Sequence, residues 1–332
     1  MTSDPPPAEV CRAFGLPAPR SSIRLAHGLM NRNWRIATDD SREYAVKELR
    51  DVSPAHARTQ HALLGRLAEH GIPVVLPVAD AAGETVAQVA GVGFTVTPWV
   101  DGEHLAGARL DVAACDRLGR LLGRVQTALA AVRPDVPASA PADPSSRVAA
   151  AGRIERYLAA IAARPVPDPV DRVAADHLRW RRALLATAVR PVGERPEQDW
   201  THGDFHQFNL VWRAGAVVAV LDWDRVRRQP PGAELIRACL LHFAGEDGTL
   251  DLDRIAAVVR GYRAIRPVDG EVLANLVQLA WWQWFTNFWP LDRRYDHGDT
   301  SCDHQFVANE RTLRWWTAHR PQVCAALSGV PE

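Results

Sequence analysis

The sequence predicts an α+β protein with a small β-rich part over residues 1–100 and a larger, mainly helical part over residues 101–332. Runs of alternating apolar and polar residues, typical of strands, fall within the first hundred positions, whereas apolar residues at helical spacing dominate afterwards. One densely polar segment and a short apolar strand interrupt the helices between residues 200 and 224. A chain of 332 residues that is 47% hydrophobic can bury a sizeable core in such an arrangement.

The β-rich part is predicted from turns, caps and alternation. The polar turn 39–42 lies between two alternating runs and favours a β-hairpin. Ser53 followed by Pro54 is typical of a helix start, and 71–73 (Gly-Ile-Pro) ends that helix. The predicted strands are 33–38, 43–48, 74–78 and 93–97. The rigid segment 98–102 then predicts the crossing point between the two parts.

The helical part shows apolar periodicity in seven segments. The predicted helices are 118–129, 154–161, 173–188, 233–243, 252–262, 271–288 and 303–319. A stretch rich in Pro, Ala and Ser at 134–146 predicts an exposed loop or linker.

Composition narrows the function classes. Lys and Arg number 39, as do Asp and Glu, so the formal net charge is zero and no broad basic field is available for a nucleic acid backbone. No run of about 18 apolar residues occurs, and the N-terminus lacks a signal pattern, so we expect a cytoplasmic protein, monomeric or homodimeric, without a membrane partner. The five cysteines are far apart in sequence and predict reduced thiols.

The segment 201–224 carries the densest polar pattern. Asp204 is followed five residues later by Asn209, and Asp222 comes thirteen residues after that, beyond the apolar strand 216–221. A carboxylate, an amide and a second carboxylate at the two ends of a hairpin can converge on one point. Because Mg²⁺ prefers oxygen ligands, this pattern predicts magnesium-dependent phosphoryl transfer.

At these residues the sequence resembles the aminoglycoside phosphotransferase and choline kinase-like small-molecule kinases, relatives of the protein kinases. Their catalytic loop reads H-x-D-x-x-x-x-N, as do His202, Asp204 and Asn209 here, and a metal-binding Asp after a short strand corresponds to Asp222. The resemblance implies a two-lobed protein kinase-like fold that uses ATP and Mg²⁺. It implies that Asp204 is the catalytic base, Asn209 and Asp222 are metal ligands, and His202 supports the loop.

The only lysine of the chain, Lys47, lies on the predicted strand 43–48. Kinase-like folds carry a phosphate-binding lysine on such a strand, with a small residue two positions earlier over the base. Ala45 fits this second place, and strand geometry puts Ala45 and Lys47 on the same face. The resemblance extends to the other nucleotide contacts, which we expect from Gly28 and Asn31 in the covering loop and from Thr97, Trp99 and Val100 in the hinge.

One departure from the family pattern concerns the partner of Lys47. The family pairs this lysine with a glutamate on the first helix, but residues 52–68 contain no acidic side chain and Gln60 falls at the expected place. Gln60 could support Lys47 by a hydrogen bond, Glu69 or a residue elsewhere could pair with it, or the pair could form only with nucleotide bound. This departure keeps a weakly active or non-catalytic nucleotide-binding protein open.

A different reaction class is also open at the same segment. His202 and His206 flank Asp204, which is a spacing compatible with a zinc site of a hydrolase. That alternative leaves Asn209, Asp222 and Lys47 without a role, and we expect His206 to be a loop residue.

The acceptor site is predicted in the C-terminal helices. Five aromatic residues share one helix face, which is a core pattern: Trp281, Trp284, Phe285, Phe288 and Trp289. Trp282 lies on another face, with Asp299 and Asp303 nearby in sequence. Aromatic and acidic side chains together suit an amine-bearing acceptor, so we expect substrate contacts from Trp282, Asp299 and Asp303.

The sequence thus predicts an ATP-dependent O-phosphotransferase that acts on a hydroxyl of a small molecule. Family frequency favours an antibiotic that carries amino groups. A metabolite such as homoserine, choline or another amino alcohol is the alternative substrate, and a non-catalytic nucleotide-binding module is the alternative from another class.

Overall fold

The structure is a computed structural model that describes residues 7–25, 32–50, 52–134, 145–189, 191 and 196–330. These residues form two compact units. The first contains residues up to Leu105 together with 124–139 and 199–228, and the second contains 106–123, 140–198 and 229–332. The N-terminal unit extends past the sequence boundary at residue 100 because it also takes in the segment that carries the catalytic motif.

An antiparallel sheet of five strands, in the order β1-β2-β3-β5-β4, is the centre of the N-terminal unit. Its strands are β1 (Pro19–Leu25), β2 (Arg32–Thr38), β3 (Glu43–Glu48), β4 (Ala87–Val89) and β5 (Val92–Pro98). Period-two burial divides the sheet into two faces: Tyr44 and Val46 are buried on one, whereas Ala45 and Lys47 on the other remain partly exposed. The buried face packs with helix α1 (Pro7–Ala13) through Val10 and Cys11.

Helix α2 (Pro54–Glu69) follows β3 as the sequence predicts. Ser53 accepts a hydrogen bond from the His56 N–H as N-cap, and Pro54 occupies the first helical turn. The predicted strand 74–78 is wrong: Val74 forms a single bridge to Val220 and no strand follows. Pro73 and Pro77 lack the N–H groups that a ladder at this place would need.

Residues 199–228 of the N-terminal unit contain β6 (Asp199–Thr201), the antiparallel pair β7 (Leu210–Arg213) and β8 (Ala216–Val220), and most of β9 (Arg227–Gln229). This segment is held by backbone bonds to earlier parts of the same unit. Val220 N–H donates to Pro73 O at 2.7 Å, and Glu103 and Trp212 exchange two bonds of 2.9 Å.

The C-terminal unit is helical. Helix α3 (Val112–Val132) begins in it, and the other helices are α4 (Arg147–Ala162), α5 (Pro169–Leu185), α6 (Pro231–Phe243), α7 (Leu252–Arg263), α8 (Gly270–Phe285), α9 (Trp289–Leu291), α10 (Asp303–Ala318) and α11 (Arg320–Ser328). Close packing of α3 on α7 requires glycine, because a Cβ on Gly119 would lie 1.9 Å from Val258 O. No helix in the described ranges is long and apolar enough to cross a membrane.

The helix predicted over 271–288 ends earlier than expected. Helix α8 ends at Phe285, and the Thr286 hydroxyl donates to Trp282 O at 2.8 Å. The Asn287 side chain then accepts from Trp289 N–H at 2.9 Å, and Pro290 starts the next short helix. Phe288 and Trp289 therefore do not continue the aromatic face of α8.

Candidate active site

The catalytic loop between β6 and β7 is shaped by two residues that surround Asp204. Gly203 adopts a φ of +85°, and a Cβ there would lie 1.9 Å from Arg225 O, so a side chain cannot be accommodated. His202 is fully buried and accepts at Nδ1 from Asp204 N–H at 3.2 Å. Its Nε2 therefore carries the proton and donates to Leu221 O at 3.0 Å. His202 thus ties the loop to the end of β8.

The carboxylate of Asp204 is oriented by its neighbours on the loop. His206 accepts at Nδ1 from Phe208 N–H at 3.3 Å, which places the proton of the neutral ring on Nε2, 3.3 Å from Asp204 Oδ2. Asn209 Nδ2 donates to Asp204 O at 2.9 Å and lies 3.5 Å from Asp204 Oδ2. These donors hold the same carboxylate oxygen, so the direction of the side chain is fixed.

Asn209 and Asp222 lie at the same end of the β7–β8 hairpin. Leu210 pairs with Val220, and one step further Leu221 N–H donates to Asn209 O at 2.8 Å. Asp222 then adopts left-handed backbone angles, with φ 57° and ψ 66°. This conformation is costly for a residue with a side chain and is found mainly where the surrounding structure imposes it, often at functional sites.

Lys47 reaches the same place from β3. Its Nζ lies 3.3 Å from Asp222 Oδ1 and makes a shorter ion pair with Asp224. Burial alone would lower the pKa of Lys47, but the charges of Asp224 and Asp222 outweigh it and hold the pKa above its usual value. Burial raises the pKa of Asp224, and the neighbouring Asp222 adds to this rise while Lys47 opposes it. The three groups form one interacting charge cluster.

Gln60, which we expected beside Lys47, is buried and has other partners. Its Nε2 donates to Trp223 O at 3.3 Å and lies 2.8 Å from His56 Nε2. Glu69 is exposed at the end of α2. Of the alternatives that the sequence left open, the structure has a residue elsewhere paired with Lys47, and that residue is Asp224.

The nucleotide face of the sheet is built from residues aligned across three strands. Arg35 of β2, Ala45 of β3 and Thr97 of β5 are consecutive cross-strand partners. Arg35 makes two bonds to Glu43, of 3.1 and 2.5 Å, and its guanidinium lies 4.5 Å from the ring centroid of Trp99. Trp99 N–H donates to Glu43 O at 2.9 Å. The nucleotide roles of Ala45, Thr97, Trp99 and Val100 stay predictions, and Gly28 and Asn31 lie outside the described residues.

The three residues predicted for the acceptor have other partners within the C-terminal unit. Trp282 is fully buried, and its indole N–H donates to Ser145 O at 2.9 Å. Asp299 pairs with Arg293, and Asp303 pairs with Arg294. The buried Trp282 offers no surface to an acceptor, and substrate roles for Asp299 and Asp303 stay predictions.

Two contacts were missed by sequence reasoning. Asp224 was expected to cap the following segment or to contact a metal, and His206 was expected to be a loop residue without a role. Asp224 is 177 positions from Lys47, so no local pattern could reveal their pairing. The His206 contact had a weak signal, because a two-residue spacing from Asp204 allows mutual contact in a tight loop.

The donor set fits a hard divalent cation. Because Asn209 Nδ2 is bonded to Asp204 O, its amide oxygen is directed away from that bond. Asp222 is 42% exposed and adds a carboxylate at the same hairpin end. Oxygen ligands of this kind suit Mg²⁺ that also binds phosphates. The zinc alternative does not fit, since both nitrogens of His202 are bonded to the backbone, and the described residues contain no group of three His, Cys, Asp or Glu arranged for a metal.

The chain resembles known proteins in sequence. The model of the phosphotransferase enzyme family matches residues 22–268. A homoserine kinase of Phenylobacterium zucineum is 25% identical over 278 residues, which cover 82% of this chain and 80% of that protein. A homoserine kinase of Methylobacillus flagellatus is 26% identical over 250 residues, covering 74% of this chain and 71% of that protein.

Solved structures resemble it in fold. An aminoglycoside phosphotransferase from Alicyclobacillus acidocaldarius superposes with a TM-score of 0.70 at 16% identity, over 99% of this chain and 96% of that one. A spectinomycin phosphotransferase in complex with ADP and spectinomycin gives a TM-score of 0.65 at 12% identity, over 96% of each chain. The likeness confirms the α+β, kinase-like fold predicted from the sequence. Since the family model also covers most of its length, the chain belongs to the phosphotransferase enzyme family.

Proposed function

We propose that this protein is an ATP-dependent, Mg²⁺-dependent kinase that phosphorylates a hydroxyl group of a small molecule. The observation that carries the proposal is the convergence of Lys47 and Asp222 beside the loop that holds Asp204 and Asn209. These are the groups that phosphoryl transfer needs: an ammonium for the phosphates, oxygen ligands for a cation, and a base for the acceptor.

In this mechanism Asp204 orients the acceptor hydroxyl and accepts its proton as the new bond to the γ-phosphorus forms. The bond between the γ-phosphorus and the bridging oxygen breaks, and ADP leaves. Lys47 neutralises charge on the phosphates, and Asn209 and Asp222 would hold Mg²⁺, which supplies further charge neutralisation when bound. Catalysis is therefore mainly positioning and electrostatic stabilisation.

For the acceptor, we propose a small amino alcohol of the homoserine type. The two relatives named homoserine kinase support this choice, because each matches over most of its own length at 25% and 26% identity. Antibiotics with amino groups, which the sequence pattern favoured, are the second candidate class. The structural neighbours of that class are 12% to 16% identical and speak for the fold alone.

The test measures ADP release from purified protein with ATP, Mg²⁺ and a panel of acceptors. The panel contains homoserine, choline, ethanolamine, an aminoglycoside and spectinomycin, and product mass identifies which acceptor gains one phosphoryl group. We expect turnover with homoserine to exceed turnover with the antibiotics. Nucleotide binding without transfer to any member of a broad panel would instead support the non-catalytic module, and activity that does not require a divalent cation would refute the proposed metal role.

A further inference from the structure

The single lysine of the chain requires a fixed partner in order to act on phosphates. A lysine side chain is flexible, and its ammonium is a strongly hydrated point charge, so its position must be set by the groups around it. Lys47 is 26% exposed, and the carboxylates of Asp222 and Asp224 both contact its Nζ. The question is which of them keeps Lys47 in place during catalysis.

Helix α2 does not supply this partner in the structure. Its one acidic residue is Glu69, which is exposed in the last turn. The buried Gln60 is neutral and uses its NH₂ group on Trp223 O and His56. Helix α2 therefore stabilises the backbone of the segment after Asp222 and leaves the charge of Lys47 to other residues.

Asp224 is held in a rigid frame. It belongs to a short 3-10 turn, Trp223–Arg225, that follows the left-handed Asp222. Trp223 is buried, stacks against His202 with ring centroids 4.6 Å apart, and donates its indole N–H to Val220 O at 2.9 Å. Asp224 is only 16% exposed, against 42% for Asp222. A buried carboxylate on a fixed backbone is suited to orienting a flexible ammonium.

We propose that Asp224 is the positioning residue of Lys47 and supplies, from the segment after Asp222, the fixed carboxylate that helix α2 lacks. Asp222, the more exposed of the two, is then available to the cation, while Asp224 remains with Lys47. The catalytic consequence rests on the proposed function, whereas the pairing itself does not.

The kinetic test compares Asp224→Asn with Asp224→Glu and with a control, Glu84→Gln. Glu84 forms an ion pair with Arg58 at 2.6 Å in the same unit, so the control also replaces a paired carboxylate by an amide. Asp224→Asn should raise the KM for ATP about tenfold or more, the effect of losing one charge-assisted hydrogen bond. The Mg²⁺ concentration for half-maximal rate should stay within about twofold, Asp224→Glu should recover part of the loss, and Glu84→Gln should match the wild type.

The second readout needs no activity. Because Lys47 is the only lysine, reductive methylation with ¹³C-formaldehyde adds one ε-amine resonance to the NMR spectrum beside that of the N-terminus. Loss of the Asp224 charge should shift this resonance, and Glu84→Gln should leave it unchanged. Melting temperatures of all variants confirm that the comparison is made between folded proteins.

The outcomes separate the alternatives. An unchanged Lys47 resonance in folded Asp224→Asn, or a KM for ATP equal to that of the wild type, would overturn the proposal. A large rise in the Mg²⁺ requirement with an unmoved resonance would make Asp224 a metal ligand instead. If the wild type transferred no phosphoryl group to any acceptor, the proposed function would fail, while the resonance would still decide whether Asp224 positions Lys47.

Discussion

The catalytic segment and the C-terminal aromatic region are both rich in aromatic and acidic residues, but they bond them differently. Around Asp204 and Asp222, backbone groups and buried histidine and tryptophan rings fix the loop, and the carboxylates stay partly exposed. Around α8 and α10 the side chains satisfy one another: Trp282 is fully buried, and Arg294 lies between Asp168, Asp171 and Asp303.

This difference shows what separates a reactive site from a core network. A reactive group must keep a surface for its substrate while its orientation is imposed by other atoms. In the C-terminal region the corresponding surfaces are used by neighbouring arginines and by the packed core. Residue type predicted both regions as functional, but only the first has the required bonding.

The largest expected effect is at Asp204. Asp204→Asn keeps the size of the side chain but removes the base, so kcat should fall by about 10³-fold or more, within the range for general base catalysis. The dissociation constant of ATP, measured by calorimetry, should change by less than about twofold. A variant with nearly normal kcat would exclude Asp204 as the base.

Next in size is the change Lys47→Arg. The charge is conserved, but the planar guanidinium cannot replace a compact ammonium between phosphates and the carboxylates of Asp222 and Asp224. We expect kcat/KM for ATP to fall about 10²-fold, in the range for loss of one electrostatic stabiliser. Steady-state kinetics at saturating acceptor measure this loss, and equal activity of the two proteins would show that position 47 needs only a positive charge.

The local parts of this site were predictable from the sequence. The β2–β3 hairpin, the Ser53 cap and the order of polar residues in 201–224 depend on neighbouring residues, and the structure contains each of them. Helix α1 and strand β4 have seven and three residues, too few to show a clear period. The pairing of Lys47 with Asp224 joins distant segments, and the burial of Trp282 depends on helix packing, so neither has a local signal.

The third prediction tests the C-terminal region. Trp282→Phe removes the indole N–H that donates to Ser145 O and leaves a small cavity, so it should lower the free energy of unfolding by about 1–3 kcal/mol. The KM for the acceptor should not change. The matched control Trp289→Phe, at a residue that is 43% exposed, should cost less than about 0.5 kcal/mol. A raised acceptor KM for Trp282→Phe alone, at unchanged stability, would restore the substrate role predicted from the sequence.

The smallest effect is expected at Asp299. Hydrogen bonds from Ser301 and the charge of Arg293 lower the pKa of Asp299 to about 2, below the ordinary value of about 3.9 for an unfolded chain. A carboxylate with a lowered pKa stabilises the fold above the unfolded value, and this contribution is lost as the pH falls from about 4 towards 2. The melting temperature of Asp299→Asn should therefore lie slightly below that of the wild type at pH 7, and the two should converge in acid. A constant gap across this pH range, or a weaker acceptor KM for Asp299→Asn at pH 7, would show that Asp299 does more than stabilise its own turn.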